Sequence, residues 1–396
     1  MQDDSYGELH PVVDNQACVQ CGLCQKVCPN NHLQEFNYPL ACYASWITDK
    51  PKRRICASGG IGTIMSEYII DNCKGVVIGS RYNDDMTPVM TYTEQIEELE
   101  RFKGSRYVQS KFLVETYNQI KIFLKSGRKV MFVGTPCQVA GLKGFLRKDW
   151  DNLITVDLIC HGCSPTSYLK DEVSYICKQN HLAEISDIRF RGNDGNNFTF
   201  SLWGKVKLLP KGRRCSYYQT ETTKRLYYKR ACTSYYLAGF LLGVTLRDNC
   251  YQCPYARPER ISDITIGDFI GLGKQKPFNY SKINVSSVMV NTEKGKTFYD
   301  KVSEAKKELV NIMRDYSERL EYKPSLVEPF AKHPLASVFR EEYLKEGYIH
   351  ASRKVLAGEV EKSELEERRS ARRRIIIWPY LAAKKTIKII LYNWKK

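Results

Sequence analysis

The sequence predicts an α/β fold with an added β-rich region, a small ferredoxin-like N-terminal module and a basic C-terminal helical tail. Three observations predict it. Apolar runs that end in glycine turns alternate with segments of helical spacing between Ala57 and Gly162, the strand–helix–strand order of an α/β domain. From about Ile185 to Lys229 the apolar runs are short and broken by Gly and Asn, as around Phe198–Trp203, which reads as β-rich chain. Four closely spaced cysteines near the start and a crowd of Arg and Lys near the end set off the two smaller parts.

At 396 residues and 45.8 kDa the chain has room for two or three domains. A hydrophobic fraction of 43% with 27% charged residues excludes a mainly disordered protein. A chain of this size buries a large core without disulfide staples. The net charge of +17 suggests an anionic partner. No stretch approaches the roughly 18 apolar residues of a membrane-spanning helix. The start, Met1-Gln-Asp-Asp-Ser5, is acidic and polar, unlike a secretory leader. A cytoplasmic protein is therefore expected, in which 15 cysteines point to metal or redox chemistry rather than to disulfides.

Taken in order, the first element is Cys18-Val-Gln-Cys21-Gly-Leu-Cys24-Gln-Lys-Val-Cys28-Pro29, the C-x2-C-x2-C-x3-C-P run of bacterial ferredoxins. Two-residue gaps let successive thiolates wrap one 4Fe-4S cubane, Gly22 permits the tight turn, and Pro29 fixes the chain as it leaves. Zinc modules usually pair two CxxC units at a distance, which this run does not do. In two-cluster ferredoxins the fourth cysteine of such a run ligates the other cluster. No second complete run exists here, so either Cys28 bends back or a distant cysteine completes the site. Cys42 and Cys56 lie near enough for that, although an inert buried thiol is the expectation for each.

Ser58-Gly59-Gly60-Ile-Gly62 opens a helix over Thr63–Ile70. Glycines before a helix N-terminus leave backbone N–H groups free for a phosphate or flavin oxygen, with a plain tight turn as the alternative. Gly75–Gly79 is a short buried strand, and Gly104-Ser-Arg-Tyr107-Val-Gln-Ser110 a polar loop of similar potential. Phe112, Leu113, Tyr117, Ile120, Phe123 and Leu124 give Ser110–Ser126 helical spacing, with Gly127 as a C-cap. Lys129–Gly134 is a buried strand feeding a Gly-Thr-Pro turn, at the carboxyl end where open α/β sheets place ligands. Asn152–Ile159 repeats that pattern and ends at Cys160-His161-Gly162.

Cys137, Cys160 and the pair Cys250-Tyr-Gln-Cys253 can supply four thiolates if the fold brings them together; four buried structural thiols are the alternative. Cys73, Cys163, Cys177, Cys215 and Cys232 are read as core or surface thiols. Tyr217, Tyr218, Tyr227 and Tyr228 lie among basic residues and read as strand surface rather than as a stacking platform, so no nucleic-acid partner is expected. Ser286–Val290 is a strand, and residues 293–322 are expected to form an amphipathic helix. In the tail, residues 366–396 hold ten basic residues against Glu366 and Glu367. Tyr380, Ala383, Ile387, Ile390, Leu391 and Trp394 share one helical face opposite Lys385, Lys388 and Lys396, with a start or kink at Pro379. Such a helix either docks on the body or lies in an anionic membrane interface, giving peripheral contact at the inner face of the membrane.

Together these segments resemble the coenzyme F420 hydrogenase/dehydrogenase beta-subunit family over roughly residues 8 to 325. The resemblance rests on Gly7–Asp14 leading into the cysteine run, Ser58-Gly-Gly60, Gly104–Ser110 and Val133-Gly-Thr-Pro-Cys-Gln-Val-Ala-Gly-Leu142. It continues with Val156-Asp-Leu-Ile-Cys-His-Gly162, Leu246-Arg-Asp-Asn-Cys-Tyr-Gln-Cys253 and Ser262-Asp-Ile-Thr-Ile-Gly-Asp-Phe269. It implies that Cys137, Cys160, Cys250 and Cys253 hold one 4Fe-4S cluster beside an FAD. It also divides the chain into a ferredoxin-type module (1–45), the family's N-terminal region (46–128), its C-terminal region with inner cluster and flavin (129–325) and the basic tail (326–396). Many similar bacterial chains carry two ferredoxin runs and this one carries a single run, so at most one N-terminal cluster is expected. Cys56 stands where serine is common.

The implied activity is a conversion. Iron–sulfur clusters move single electrons, deazaflavin and nicotinamide carriers move hydride, and a flavin does both. Ser58, Gly59, Gly60, Gly62, Gly104, Tyr107 and Ser110 are the expected flavin-binding residues. The Cys18–Cys28 cluster would serve a ferredoxin or other redox partner protein, and the flavin a small hydride carrier, F420-like or NAD(P)H. His161 is expected to be packed rather than a proton donor, and Asp268 a turn or capping residue rather than an acid catalyst. The rival class is a non-catalytic relay or interaction subunit of a larger complex, containing iron without flavin. In that rival class, a link to surface-polysaccharide synthesis rests on association alone. A zinc-stabilised nucleic-acid binder fits the charge but not the ferredoxin spacing.

Overall fold

The computed structural model describes residues 1–396 apart from 32, 183, 193–197, 209–219, 281–283 and 394–396; side chains at 206–208, 220–221 and 374–393 are also outside the described ones. Its centre is an eight-stranded mixed sheet. In chain order the strands are β1 (Ala41–Ile47), β2 (Val76–Tyr82), β3 (Pro88–Thr93), β4 (Val130–Gly134), β5 (Leu153–Leu158), β6 (Ile264–Asp268), β7 (Ser286–Val290) and β8 (Leu309–Arg314). In space they run β8-β1-β7-β6-β5-β4-β2-β3. The inner four, β6-β5-β4-β2, are mutually parallel, with Ile264 opposite Val156, Val130 opposite Leu153 and Val76 opposite Val130. β4 is a continuous apolar run and β5 is buried from Leu153 to Asp157, because both faces of a parallel sheet are covered.

Helices α1 (Ile61–Asp71) and α4 (Glu293–Ala305) cover one face, where Ile61, Ile64, Met65, Phe298 and Val302 pack on Ile154, Val156 and Val288. Helices α2 (Val114–Lys125) and α3 (Pro136–Leu146) cover the other, with Ile120, Phe123, Val139 and Leu142 against Val76, Val130 and Phe132. The result is a three-layer α/β/α body. Because the inner strands are parallel, the segments that follow them emerge on one side. That single fact positions the site.

The β-rich region forms a separate antiparallel sheet of Ile185–Arg189, Thr199–Leu208 and Thr220–Arg230. With the helices Thr166–Gln179 and Tyr235–Leu241 and the start of the Leu335–Asn393 helix, it encloses an aromatic core that includes Phe190, Phe200, Tyr236, Phe240, Phe339 and Tyr348. Tyr227 packs on that core, whereas Tyr217 and Tyr218 lie outside the described residues.

Two expectations, on the 293–322 helix and on the tail, are corrected. The helix expected over 293–322 stops at Ala305, and Leu309–Arg314 is instead the edge strand β8, paired antiparallel to β1. Lys306 leaves helical geometry (φ −106°, ψ 84°), and the β-branched Val310 and Ile312 suit a pleated surface. The division at residue 45 cuts through β1, whose Cys42, Ala44 and Ile47 are core residues of the large sheet. That sheet also draws strands from both sides of residue 128. In the tail the backbone break falls at Gly347 (φ 77°, ψ −175°), a conformation that glycine tolerates, and not at Pro379. The amphipathic face expected for Tyr380–Trp394 concerns side chains outside the described residues. Among the described residues no helix is long and apolar enough to cross a membrane.

Candidate functional site

The N-terminal run is an open loop around the short helix Leu23–Lys26, entered through Gly22 at φ 66°. Only such a left-handed residue lets the chain reverse between Cys21 and Cys24. Cys18, Cys21 and Cys24 are exposed and Cys28 is half-buried, while the Gln20 N–H points at the Cys18 sulfur at 3.4 Å. Cys42 and Cys56 are both buried, as expected of inert thiols. Cys42 lies in β1, and burial pushes its thiol up to about 12. Cys56 is buried beside Thr63, its sulfur 3.3 Å from the Thr63 hydroxyl.

The second set comes from three places. Cys137 sits in the first turn of α3, a helix opened by Pro136 and capped reciprocally by Thr135 and Gln138, a pattern that fixes a helix start. Cys160 follows β5. Cys250 and Cys253 lie on the turn around Asp248–Tyr251. Gly162 makes the approach of the last two segments possible: at φ 125° a Cβ there would stand 3.3 Å from the Cys250 Cβ and 2.8 Å from Leu246.

The fully buried Arg260 then ties the segments together. Its guanidinium donates to the Tyr255 carbonyl at 3.3 Å, the Arg257 carbonyl at 3.2 Å and the Asp157 carboxylate at 3.2 Å. The Cys253 turn and the strand leading to Cys160 thus share one buried ion pair.

The four inner thiols lie within electrostatic reach of one another. Burial first, then the neighbouring Cys137 and Cys250, push the Cys160 thiol well above its ordinary value. Burial also lifts Cys137 to about 11, with the Thr135 hydroxyl opposing and Cys253 and Cys250 adding. Cys137 is nonetheless open to solvent.

The donor set, thiolates alone, is one that a 4Fe-4S cluster takes.

Cys163, read from the sequence as a core or surface thiol, meets the thiol of Cys250. Its signal was present, since Cys160-His-Gly-Cys163 is itself a C-x2-C pair. Among the described residues Cys73, Cys177 and Cys232 join no such group, and Cys215 lies outside them. His161 is packed as expected: its Nε2 donates to the Phe240 carbonyl at 3.0 Å, and its ring lies 4.1 Å from that of Phe330. Burial keeps its pKa below the ordinary imidazole value.

The two glycine loops converge beside these cysteines. Gly104 (φ 95°) turns so that its carbonyl accepts from Phe190 and Arg191, both at 2.9 Å. The buried Arg191 guanidinium donates twice to Asp268, at 2.8 Å each, and to the Tyr107 hydroxyl at 3.3 Å. The Ser58 hydroxyl lies against the same carboxylate. Burial raises the Asp268 carboxyl, but Arg191 outweighs it and holds the pKa below the usual 3.8. Asp268 is therefore an ionised anchor, neither cap nor acid, and Arg191 is the residue the sequence did not signal.

Ser110 bonds Ser80 at 2.6 Å. Gly59 and Gly60 approach their own chain: a Cβ on Gly59 would meet the Ser45 carbonyl, and one on Gly60 would lie 2.5 Å from Ile47 Cδ1. Only Gly62 stays open, with Ile266 Cδ1 at 3.5 Å, at the N-terminus of α1. Tyr107 stacks on Phe240 at 4.7 Å, and Phe240 faces the His161 ring at 4.9 Å. The loop side and the cysteine side share this aromatic wall.

The cysteine run and the matching family models together point to a class, the iron–sulfur oxidoreductases. Residues 127–314 match the family model for the C terminus of the coenzyme F420 hydrogenase/dehydrogenase beta subunit, and residues 11–31 match that of a 4Fe-4S binding domain. Through these two regions the chain is similar to the coenzyme F420 hydrogenase/dehydrogenase beta-subunit family, with an N-terminal 4Fe-4S motif. A chain of the F420-reducing NiFe hydrogenase complex from Methanosarcina barkeri is similar over 82% of this chain and 94% of that one, at 16% identity and a TM-score of 0.45. No curated protein matches the chain.

Proposed function

We propose that the chain passes electrons between 4Fe-4S clusters and a small hydride carrier through a bound FAD. The observation that supports this reading best is the shared wall of Tyr107, Phe240 and His161 between the inner cysteines and the converging glycine loops. In this reading Cys137, Cys160, Cys250 and Cys253 hold the inner cluster, and Cys18, Cys21, Cys24 and Cys28 the outer one. FAD lies along the loops of Ser58–Gly62 and Gly104–Ser110. The open N-terminus of α1 at Gly62 suits a pyrophosphate, because its first N–H groups have no intrahelical partner. Gly59 and Gly60 set the shape of that turn by packing on β1 and β7 and do not touch the cofactor. Bound flavin would join one-electron to two-electron chemistry. Arg191 and Asp268 keep the two loops in register.

The partners are a ferredoxin or other redox protein at the exposed Cys18–Cys24 edge and an F420-like or nicotinamide carrier at the flavin. The ten basic residues of 366–396 would add reversible contact with anionic lipid. The test is anaerobic: protein as purified is mixed with reduced F420 or with NADPH while flavin and cluster absorbance are followed. Bleaching of flavin and then of clusters by one of these carriers is expected. A brown protein that yields no flavin on extraction would instead favour a relay subunit.

A further inference from the structure

The segment that follows the N-terminal cysteine run is docked on the inner cysteine turn at several points. The Tyr255 hydroxyl donates to the Pro29 carbonyl at 2.6 Å, and Pro29 adjoins Cys28 while Tyr255 lies two residues past Cys253. The Tyr255 ring is 2% exposed and stands 5.9 Å from the Phe36 ring, over which the Arg257 guanidinium sits at 4.3 Å. Asn37 and Arg260 exchange two backbone hydrogen bonds, at 2.8 and 2.7 Å. Beneath the run, α3, the helix that begins beside Cys137, passes so close that a Cβ on Gly144 would stand 2.6 Å from the Val27 carbonyl. Cys28 is the half-buried member of its run, and Cys18, Cys21 and Cys24 face outward.

We propose that Tyr255 is the bridge that holds the Cys28 side of the outer cluster against the inner cluster, so that the two work as one electron-transfer unit. The inference rests on the cluster assignments proposed above and adds the residue that joins them. With both clusters bound, one electron would pass from one to the other, with no bond made or broken. The hydroxyl fixes the run to the turn, and the ring excludes water between them.

The test uses the full chain, purified anaerobically and fully reduced with dithionite, and reads the electron paramagnetic resonance of the two reduced clusters together with iron and sulfide content. The wild-type spectrum should show magnetic interaction, broadened beyond the sum of two isolated clusters. Tyr255→Phe keeps the ring and loses the bond to Pro29, so its broadening should shrink. Tyr255→Leu should lose the broadening while iron and sulfide stay at the wild-type level. Two clusters with additive spectra in the wild type, or broadening unchanged in Tyr255→Leu, would overturn the bridge and leave the cluster assignments standing. Iron for a single cluster in the wild type would overturn the assignments and the bridge with them.

Discussion

The outer cysteines sit on one short loop at the surface, each within a few residues of the next, and need no other part of the chain to find one another. The inner cysteines are delivered by the first turn of α3, the end of β5 and a turn beyond the second sheet. Only the parallel core, with a buried Arg260–Asp157 pair behind it, brings them to one place. A local ligand set is written in spacing. A distributed one is written in topology, and its thiols are held by packing before any metal arrives.

The largest expected difference between the two sets comes from breaking the distributed one. Cys160→Ser should remove the inner cluster and lower flavin occupancy, leaving the outer run with its own iron. Loss of about half the iron and sulfide per chain, by colorimetric assay, is the expected result. Loss of all of it would mean that the two sets are not independent.

Next is the anchor of the glycine loops. Asp268→Asn leaves the buried Arg191 without its counter-charge, and breaking such a pair typically costs about 3–5 kcal/mol. Denaturant unfolding should show that loss, together with weaker flavin binding. Because the folded pKa of Asp268 lies below 3.8, the stabilisation is fully present above the unfolded value and is lost as pH falls through the folded one. The gap between wild type and variant should therefore be flat at neutral pH and narrow only below about pH 3.8.

A smaller effect separates neighbouring glycines. Gly60→Ala meets Ile47 Cδ1 at 2.5 Å with φ at 84°, and should destabilise by roughly 1–3 kcal/mol. Gly62→Ala has only an ordinary contact at 3.5 Å and should be close to neutral in stability. Any loss of flavin in Gly62→Ala would then report on the helix N-terminus itself. The smallest effect should be that of Cys177→Ala, a half-buried thiol in the Thr166–Gln179 helix, which should leave iron and flavin content unchanged.

Legibility followed the same division. The run from Cys18 to Pro29, the buried strands β4 and β5 and the β-rich region could be read directly, because each is specified by neighbours in sequence. The edge strand β8 could not, since Leu309–Arg314 becomes a strand only by pairing with β1, which lies far away in the chain. The resemblance to a family proposed the grouping of Cys137, Cys160, Cys250 and Cys253, and spacing alone left it open. Arg191 carried no signal, because a charged residue after a strand is ordinary until Asp268 and Tyr107 are placed on it. Gly59 and Gly60 were singled out as special backbone, and a Cβ at either would meet Ser45 or Ile47.

The central claim is that two separate cysteine sets each hold a cluster. Metal and sulfide analysis of the anaerobically purified full chain tests it most directly. Two cubanes predict about eight iron atoms per chain with about as much acid-labile sulfide, and no stoichiometric zinc. Zinc without sulfide, or iron for no more than one cluster, would contradict it.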